Sequence, residues 1–407
     1  GMFNLSSFNQ NIGNWNISNV IDMTGMFGYI KLSMENYDAL LVGWASIPDL
    51  QTNISFDGGL SRNCSEDSEV AKTILIHNFG WTINDDGKTC FPVTDENFYQ
   101  EIENCLSTNP IDGLCSDSRY LAMPDWNVSN VTDMSQAFFG REGLNADLNN
   151  WDVSSVTDMT LMFAESIFNQ PIDNWDVSNV NNMLGMFAGS IFNQSIDNWD
   201  VSSVTNMSGM FAESIFNQPL NNWDVGNVTD MTWMFFGSQF NQPIGNWDVG
   251  SVTDMTWMFA ESIFNQPIDN WDVSNVTDMT AMFQSASSFN IDIGSWNTSN
   301  VVSMWGMFQS TSFDQDLGNW NVESVTDVRD MFKFSTLSTP NYDSLLIGWN
   351  AQNLSPNLNF HGGYSTYCLG EAARANMMAS DNWVITDGGK AGATIIDLPD
   401  PTATSLY

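Results

Sequence analysis

The sequence repeats with a period of 24 residues, and this period constrains the fold more than any other feature. One copy spans positions 264–283 and reads FNQPIDNWDVSNVTDMTAMF. Its tryptophan recurs at steps of 24 or 25 residues, at Trp126, Trp151, Trp175, Trp199, Trp223, Trp247, Trp271, Trp296 and Trp320. A fixed period in this range is typical of solenoids and propellers, and a propeller blade of four strands needs more residues. The period therefore predicts one solenoid coil per repeat.

Apolar residues occupy fixed positions within each coil. In one copy they are Ile172, Trp175, Val177, Val180, Met183, Met186 and Phe187. The pattern I-x-x-W-x-V-x-x-V matches the frame of leucine-rich repeats with larger side chains. Alternation at 175–177 predicts a short strand, and the spacing of three after it predicts a helical or 3₁₀ turn. The expected fold is a repeat solenoid of leucine-rich-repeat type, with short parallel strands on one face, helical turns on the other and caps at both ends.

Two related segments interrupt the coils. LSMENYDALLVGW and NISFDGG, after position 31, return as LSTPNYDSLLIGW and NLNFHGG after position 335. Both follow coils, so each is interpreted as a C-terminal cap over an apolar end. A helix start at 94–97, followed by apolar Phe98, Ile102 and Leu106, predicts an N-terminal cap. The predicted order is a last coil of an upstream array (1–31), a C-terminal cap (32–92), an N-terminal cap (93–123), a nine-coil array (124–335), a second C-terminal cap (336–392) and a linker (393–407).

Charge and cysteine content indicate which partners and which cellular compartment the sequence favours. The formal net charge is −38, from 48 acidic and 10 basic residues, which disfavours nucleic acid and anionic membranes as partners. No apolar run is long enough for a transmembrane segment. Residue 1 falls inside a repeat, so we expect a piece of a longer, exported chain. Export favours two disulfides, one in each cap, and leaves Cys368 as a free thiol. The predicted pairs are Cys64 with Cys90 and Cys105 with Cys115.

An aspartate column runs along the predicted strand face. It consists of Asp152, Asp176, Asp200, Asp224, Asp248 and Asp272. Carboxylates about 4.8 Å apart repel one another, and the sequence between Arg141 and Arg329 holds no Lys, Arg or His. Raised pKa values, bound cations such as Ca²⁺, or hydrogen bonds from neighbouring Asn and Ser would relieve the repulsion. The sequence leaves open a calcium or ligand site, with Asp176, Asp200, Asp224 and Asp248 as metal ligands, against a solvated acidic face.

Other columns have simpler interpretations. The acidic residues before each Met, such as Asp158, are expected to cap the following turn by accepting backbone N–H bonds. The Asn of Phe-Asn-Gln is expected to bond the backbone where the coil turns. The repeating tryptophans are interpreted as core, with sugar stacking as the alternative. Trp233, Trp257 and Trp305 occupy a variable position instead, and they predict an aromatic contact patch.

The repeat resembles the bacterial surface-protein repeat of the BspA-like leucine-rich-repeat family, on the strength of FNQPIDNWDVSNVTDMTxMF. That resemblance implies a secreted or cell-surface protein that serves adhesion or protein interaction, and it implies no catalytic residue. The residues agree, since His77 and His361 both lie outside the array and no nucleophile motif occurs. We expect a non-catalytic adhesion protein that binds a protein or glycan through Asp152 to Asp272, Trp233 and Trp257. A structural spacer is the alternative, and ice binding through a threonine column and glycan hydrolysis by paired carboxylates are weaker ones.

Overall fold

The computed structural model describes residues 2–87, 93–114 and 122–392. The chain divides into two compact units, one made of residues 1–109 and 113–128 and the other of residues 110–112 and 129–407. Within the described ranges, no helix is both long and apolar enough to cross a membrane. The predicted linker 393–407 lies outside the described residues.

The first unit contains a coil followed by short helices and strands. Its elements are α1 (Met34–Ala45), β1 (Ser55–Asp57), α2 (Glu66–Phe79), β2 (Thr82–Asn84), α3 (Phe98–Thr108) and a 3₁₀ turn at Met123–Asp125. Strands β1 and β2 pair in parallel, with Phe56 opposite Ile83. The predicted helix start at 94–97 is confirmed, because Asn97 accepts a hydrogen bond from the Thr94 N–H and the apolar stripe of α3 is buried. Its role as a cap stays a prediction.

The second unit contains the coil array and then a module with the same element order as 34–84. This module consists of α4 (Thr339–Asn350), β3 (Asn359–His361), α5 (Glu371–Ser380) and β4 (Val384–Thr386). Strands β3 and β4 again pair in parallel, with Phe360 opposite Ile385. The internal duplication predicted from the two similar segments is therefore present in three dimensions.

Both modules contain the same buried polar network of a tyrosine, an aspartate and a basic residue. The Tyr37 hydroxyl donates to Asp85 (2.6 Å), which also pairs with Lys72 (2.8 Å). In the second module the Tyr342 hydroxyl donates to Asp387 (2.8 Å), which pairs with Arg374 (2.7 Å). Burial raises the pKa of both tyrosines, so their hydroxyls stay protonated as donors. A paired carboxylate and a protonated phenol let these polar groups lie inside without an unmet hydrogen bond.

Helix α4 packs tightly on the array. Tyr342, Leu345, Leu346 and Trp349 form the buried face of α4, as their helical spacing predicts. The Trp349 indole donates to the Leu317 carbonyl (3.1 Å). Gly348 lies so close to Gly318 that a Cβ atom at this position would overlap the Gly318 carbonyl.

Coils of the array pair through isolated parallel bridges, one residue per coil. The bridged residues are Asp133, Asp158, Asn182, Asn206, Asp230, Asp254, Asp278, Ser303 and Asp327. The predicted repeat architecture is confirmed, but the strand position is wrong. Residues 175–177 form no strand, although Trp175 and Val177 do point inward and Asp176 outward. In–out alternation fits any extended backbone, so it could not identify the paired segment.

The turn after each bridge carries most of the pairing between coils. Alternate N–H groups bond the next coil, from Met183 to Asn206 (3.0 Å), Gly185 to Ser208 (2.8 Å), Phe187 to Met210 (2.9 Å) and Gly189 to Ala212 (2.7 Å). The residues between them bond within the turn, as Met186 does to the Met183 carbonyl (3.2 Å). Gly185 and Gly189 have left-handed backbones, with φ of 59° and 63°. These residues interrupt the predicted helical turn and aim its N–H groups at the next coil instead.

The core is made of stacked columns of identical side chains. Phe163 and Phe187 stack with ring centroids 5.7 Å apart, and Trp175 and Trp199 stack at 6.3 Å. Each buried indole needs a partner for its N–H, and it finds one in the preceding coil. The Trp199 Nε1 donates to the Ile172 carbonyl (3.1 Å). The tryptophan column is therefore core, as expected, and the sugar-stacking alternative is wrong for it.

An asparagine column joins the coils on their far side. Asn193 accepts the Asn217 N–H at its Oδ1 (2.9 Å), and its own N–H bonds the Asn169 Oδ1 (2.9 Å). The Gln218 side chain adds a bond to the same Asn193 oxygen (3.2 Å). The expectation that this asparagine bonds backbone is confirmed, and the bonded backbone belongs to the adjacent coil.

Replacing Asn193 by Ala should lower the free energy of unfolding by about 1–2 kcal/mol, because the part-buried Asn217 N–H loses its acceptor. Urea denaturation followed by circular dichroism measures the effect. Asn198→Ala in the same coil is the matched control, since the Asn198 side chain is exposed and makes no hydrogen bond within the described residues. Equal losses of stability in the two variants would show that the asparagine column does not stabilise the array.

Gly348→Ala should destabilise the second unit by about 1–3 kcal/mol, because the added methyl group has no space against Gly318. The thermal midpoint should fall accordingly. Gly392→Ala, which adds its methyl group in open space, should leave the midpoint unchanged. A midpoint that Gly348→Ala does not move would disprove the close packing of α4.

Candidate functional site

The aspartate column is exposed and hydrogen-bonded to the residue two positions later. Asp200 accepts the Ser202 hydroxyl (2.6 Å) and the Ser202 N–H (3.1 Å) on the same oxygen. Asp152 and Asp176 make the same pair of bonds with Ser154 and Ser178. Asp224 and Asp248 precede glycines and accept only a backbone N–H. The column is therefore a row of short serine or glycine turns.

At two aspartates of the column these hydrogen bonds lower the pKa of the side chain. The Ser202 hydroxyl, with its backbone N–H, lowers the pKa of Asp200, and Ser274 lowers the pKa of Asp272 in the same way. Hydrogen bonds to the ionised form favour it. Of the three ways to relieve the repulsion, the structure shows hydrogen bonding. At Asp200 and Asp272 this bonding lowers the pKa, which is opposite to the change that repulsion alone would cause.

The predicted metal ligands are neighbours in space. The position of a Cβ on Gly226 lies 3.2 Å from an Asp224 oxygen and 3.7 Å from an Asp248 oxygen. Within residues 2–87, 93–114 and 122–392, however, no three His, Cys, Asp or Glu side chains converge on a common point as metal ligands. Calcium binding by Asp176, Asp200, Asp224 and Asp248 stays a prediction.

The second acidic column caps the turns as expected. Asp158 accepts the Thr160 N–H (2.8 Å), and Asp254 accepts the Thr256 N–H (2.9 Å). The same residues form the bridges between coils, so the side chain closes the turn while the backbone pairs. This column is part of the scaffold.

The variable tryptophans form an aromatic ledge, which we define as Trp233, Phe236, Trp257 and Trp305. The rings of Trp233 and Trp257 stack with centroids 5.1 Å apart and planes 12° apart. Phe236 lies against both, at 4.6 Å from Trp233 and 6.0 Å from Trp257. Trp305 reaches Trp257 at 6.4 Å across Ala281, which is fully buried. The predicted aromatic patch is therefore present. The prediction that Trp305 shares the position of Trp233 and Trp257 is wrong, because Gly306 takes that left-handed position and Trp305 lies one residue before it.

The backbone beneath the ledge is unusual for tryptophan. Trp233 and Trp257 both have φ of 60°, in the left-handed region, where a side chain costs about 1–2 kcal/mol. The equivalent positions one and two coils earlier are Gly209 and Gly185, which have no such cost. A Cβ on Gly209 would meet only the Gly185 Cα, at 4.0 Å, so the space before the Trp233 ring is open. Trp233 is 41% exposed.

An exposed isoleucine row was missed in the sequence. Its members are Ile167, Ile191, Ile215 and Ile263, with exposed fractions of 38, 44, 48 and 41%. Each precedes a buried phenylalanine of the core, such as Phe168 or Phe216. The signal was available, because two consecutive residues of an extended backbone cannot both point inward.

A row of glutamates lies between the isoleucines and the ledge along each turn. Glu165, Glu213 and Glu261 have left-handed backbones and exposed side chains. The Glu213 N–H bonds the Phe236 carbonyl (2.6 Å), which places this row beside the ledge. None of the three carboxylates makes an ion pair or side-chain hydrogen bond within the described residues.

The structure describes three of the five cysteines. Cys64 and Cys105 are disulfide-bonded, and their predicted partners Cys90 and Cys115 lie outside the described residues. The two pairings therefore stay predictions. Cys368 is a free, exposed cysteine, as expected.

Comparison with known proteins gives a family for this repeat. A family model described as "Mycoplasma protein of unknown function, DUF285" matches residues 1–42, 115–213, 167–264, 190–291 and 238–349. These overlapping segments cover more than half of the chain. The chain belongs to the DUF285 family. No curated protein and no solved structure matches the chain.

The DUF285 match corrects the family expected from the sequence. Membership of the BspA-like leucine-rich-repeat family is wrong, because the repeats match DUF285. The structure also departs from the leucine-rich-repeat expectation, since the coils pair at the bridge of Asp158 and not through a strand at 175–177. The shared I-x-x-W-x-V-x-x-V spacing reflects only which residues point inward.

Ser202→Ala should raise the pKa of Asp200 toward its ordinary value, because the largest stabilising bond to the carboxylate is lost. A ¹³C NMR titration of the aspartate carboxyl groups measures this. A lowered folded pKa stabilises the protein above the unfolded pKa, and this stability is lost as the pH falls through the folded value. The variant should therefore lose less stability on acidification. Ser208→Ala, whose hydroxyl bonds Thr232, is the control, and an unmoved Asp200 in Ser202→Ala would contradict the assignment.

Proposed function

We propose that the array is a non-catalytic recognition module of a secreted or cell-surface protein and binds a protein or glycan ligand through its turn surface. The observation that carries the proposal is the aromatic ledge. Its stacked tryptophans occupy left-handed positions that glycine fills two coils earlier. Leu161 and Ala281 also have left-handed backbones at this position, so the ledge is distinguished by its stacked aromatic rings and not by its backbone.

Exposure of the ledge supports the same conclusion. Large apolar groups on a monomer's surface are commonly interaction sites when they lie together. Trp233, Phe236 and Trp257 contact one another, whereas the tryptophans of the core column are almost fully buried. Tryptophan is also enriched among the residues that dominate binding energy.

The proposed extracellular location rests on the disulfide bonds and the net charge. Disulfide bonds at Cys64 and Cys105 suit an oxidising compartment. A net charge of −38 favours solubility outside the cell and opposes contact with nucleic acid. The absence of histidine between positions 142 and 328 of the sequence favours binding over acid–base catalysis in the array.

A structural spacer is the second candidate function. It is favoured by the uniform ladders of Asn193 and its equivalents, which give each coil the same attachment to its neighbours. A spacer has no need of the ledge, so the two candidates differ in whether removal of the tryptophans changes binding.

The double variant Trp233→Ala, Trp257→Ala should lose binding to ligands selected on the wild-type chain. Ligands are selected from a random heptapeptide display library and from a glycan array, with the full chain as bait. We expect at least one selected class to bind the variant about tenfold or more weakly, since a stacked aromatic contact contributes on that scale.

Tyr364→Ala, which removes an exposed ring from the module that follows the array, is the matched control. Circular dichroism and the thermal midpoint establish that each variant is folded. If every selected ligand binds the double variant and the wild type equally, recognition by the ledge is disproved and the spacer function remains.

A further inference from the structure

Three parallel rows meet along the turn surface and form what we call the recognition face. The first row is Trp233, Phe236 and Trp257, the second is Glu165, Glu213 and Glu261, and the third is Ile167, Ile191, Ile215 and Ile263. Glu213 is two residues from Ile215 along the chain and bonds the Phe236 carbonyl through its N–H. The face therefore presents a line of carboxylates between an aromatic and an aliphatic border.

The charge of this face selects its partner. Glu165, Glu213 and Glu261 are unpaired within the described residues, and no Lys, Arg or His lies between positions 142 and 328 to neutralise them. A second copy of the chain would bring the same negative charge, so self-association through this face is disfavoured. A positively charged partner with apolar side chains complements both the carboxylates and their borders.

We propose that the recognition face binds an extended, arginine-bearing segment of a partner protein, with its guanidinium groups on the glutamate row and against the aromatic ledge. This inference rests on the proposed recognition function and names its ligand class. Arginine suits the face better than lysine, because its planar guanidinium pairs with a carboxylate and stacks on an aromatic ring. A Cβ on Gly209 would meet no side chain within 4 Å, so the coil before Trp233 leaves room for a guanidinium group beside the ledge.

The spacing of the glutamates sets the spacing of the arginines. Gly189 and Gly237 occupy the same row in the intervening coils, so carboxylates occur only in every second coil. A Cβ on either glycine would lie 3.4 Å from the Cγ of the preceding glutamate. Coils paired at about 4.8 Å separate successive carboxylates by roughly 10 Å. A chain in the extended polyproline II conformation has three residues per turn and advances about 3.1 Å per residue, so arginines at every third position lie on one face and match the row.

The test uses three fluorescein-labelled heptapeptides, two of which have identical composition. One carries arginine at its first, fourth and seventh positions with glutamine elsewhere, and the permuted peptide carries the three arginines at its start. A third peptide replaces arginine by lysine in the spaced order. Fluorescence anisotropy with the full chain at about 0.15 M salt limits non-specific attraction by the acidic surface. We expect the spaced arginine peptide to bind about tenfold more tightly than the other two.

Two charge-matched variants locate the binding. Glu213→Gln, Glu261→Gln should weaken the spaced arginine peptide several-fold. Asp173→Asn, Asp269→Asn, which changes two exposed carboxylates outside the recognition face, should leave it unchanged after equal loss of charge. Trp233→Ala, Trp257→Ala should weaken the arginine peptide more than the lysine peptide. Equal affinity for spaced and permuted peptides, or equal effects of the two charge variants, would overturn the inference.

A neutral oligosaccharide, cellohexaose, separates this inference from the proposed function. If cellohexaose binds in a manner that depends on Trp233 and Trp257 while no arginine peptide does, the ledge is a recognition site and the arginine partner is wrong. If neither probe depends on the tryptophans and the library and glycan selections also yield no dependent ligand, both proposals fail.

Discussion

Backbone hydrogen bonds between successive coils are the interaction on which the rest of this structure depends. They are concentrated in the turn, where alternate N–H groups leave the coil and bond the next one. This geometry requires left-handed residues at two positions per coil, such as Gly185 and Gly189. A coil of 24 residues cannot bury its own apolar side chains, so its core exists only because this bonding holds neighbours in register. The stacked phenylalanine and tryptophan columns are a consequence of that register.

Side-chain ladders extend the same constraint to the remaining surfaces. The indole of Trp199 bonds a carbonyl of the preceding coil, and Asn193 joins both neighbours. Because the adjacent coil supplies an acceptor, the desolvation cost of a buried indole N–H is offset by a hydrogen bond. Residues in the exposed rows can therefore vary without affecting the core. Trp233 and Trp257 replace glycine in one of these rows.

Much of this arrangement could be predicted from the sequence, and the failures have physical causes. The period, the core columns, the helices at 34–45 and 339–350 and the turn caps follow from apolar spacing and from Asp or Asn before a turn. The strand at 175–177 was wrong because inward–outward alternation does not reveal which backbone groups pair. The left-handed positions were hidden because Leu161, Gly185 and Trp233 all occupy one of them. The isoleucine row was overlooked because each isoleucine directly precedes a buried phenylalanine of the core.

The orientation of the inter-coil bonds also determines how the array responds to force. These bonds run along the stacking direction, so tension applied along that direction is carried by every junction in series. The weakest junction separates first, and the others follow one at a time. Each detached coil releases about 80 Å of extended chain from its 24 residues. An array of this kind yields in equal steps and dissipates mechanical work while the remaining coils, and the faces they carry, keep their geometry.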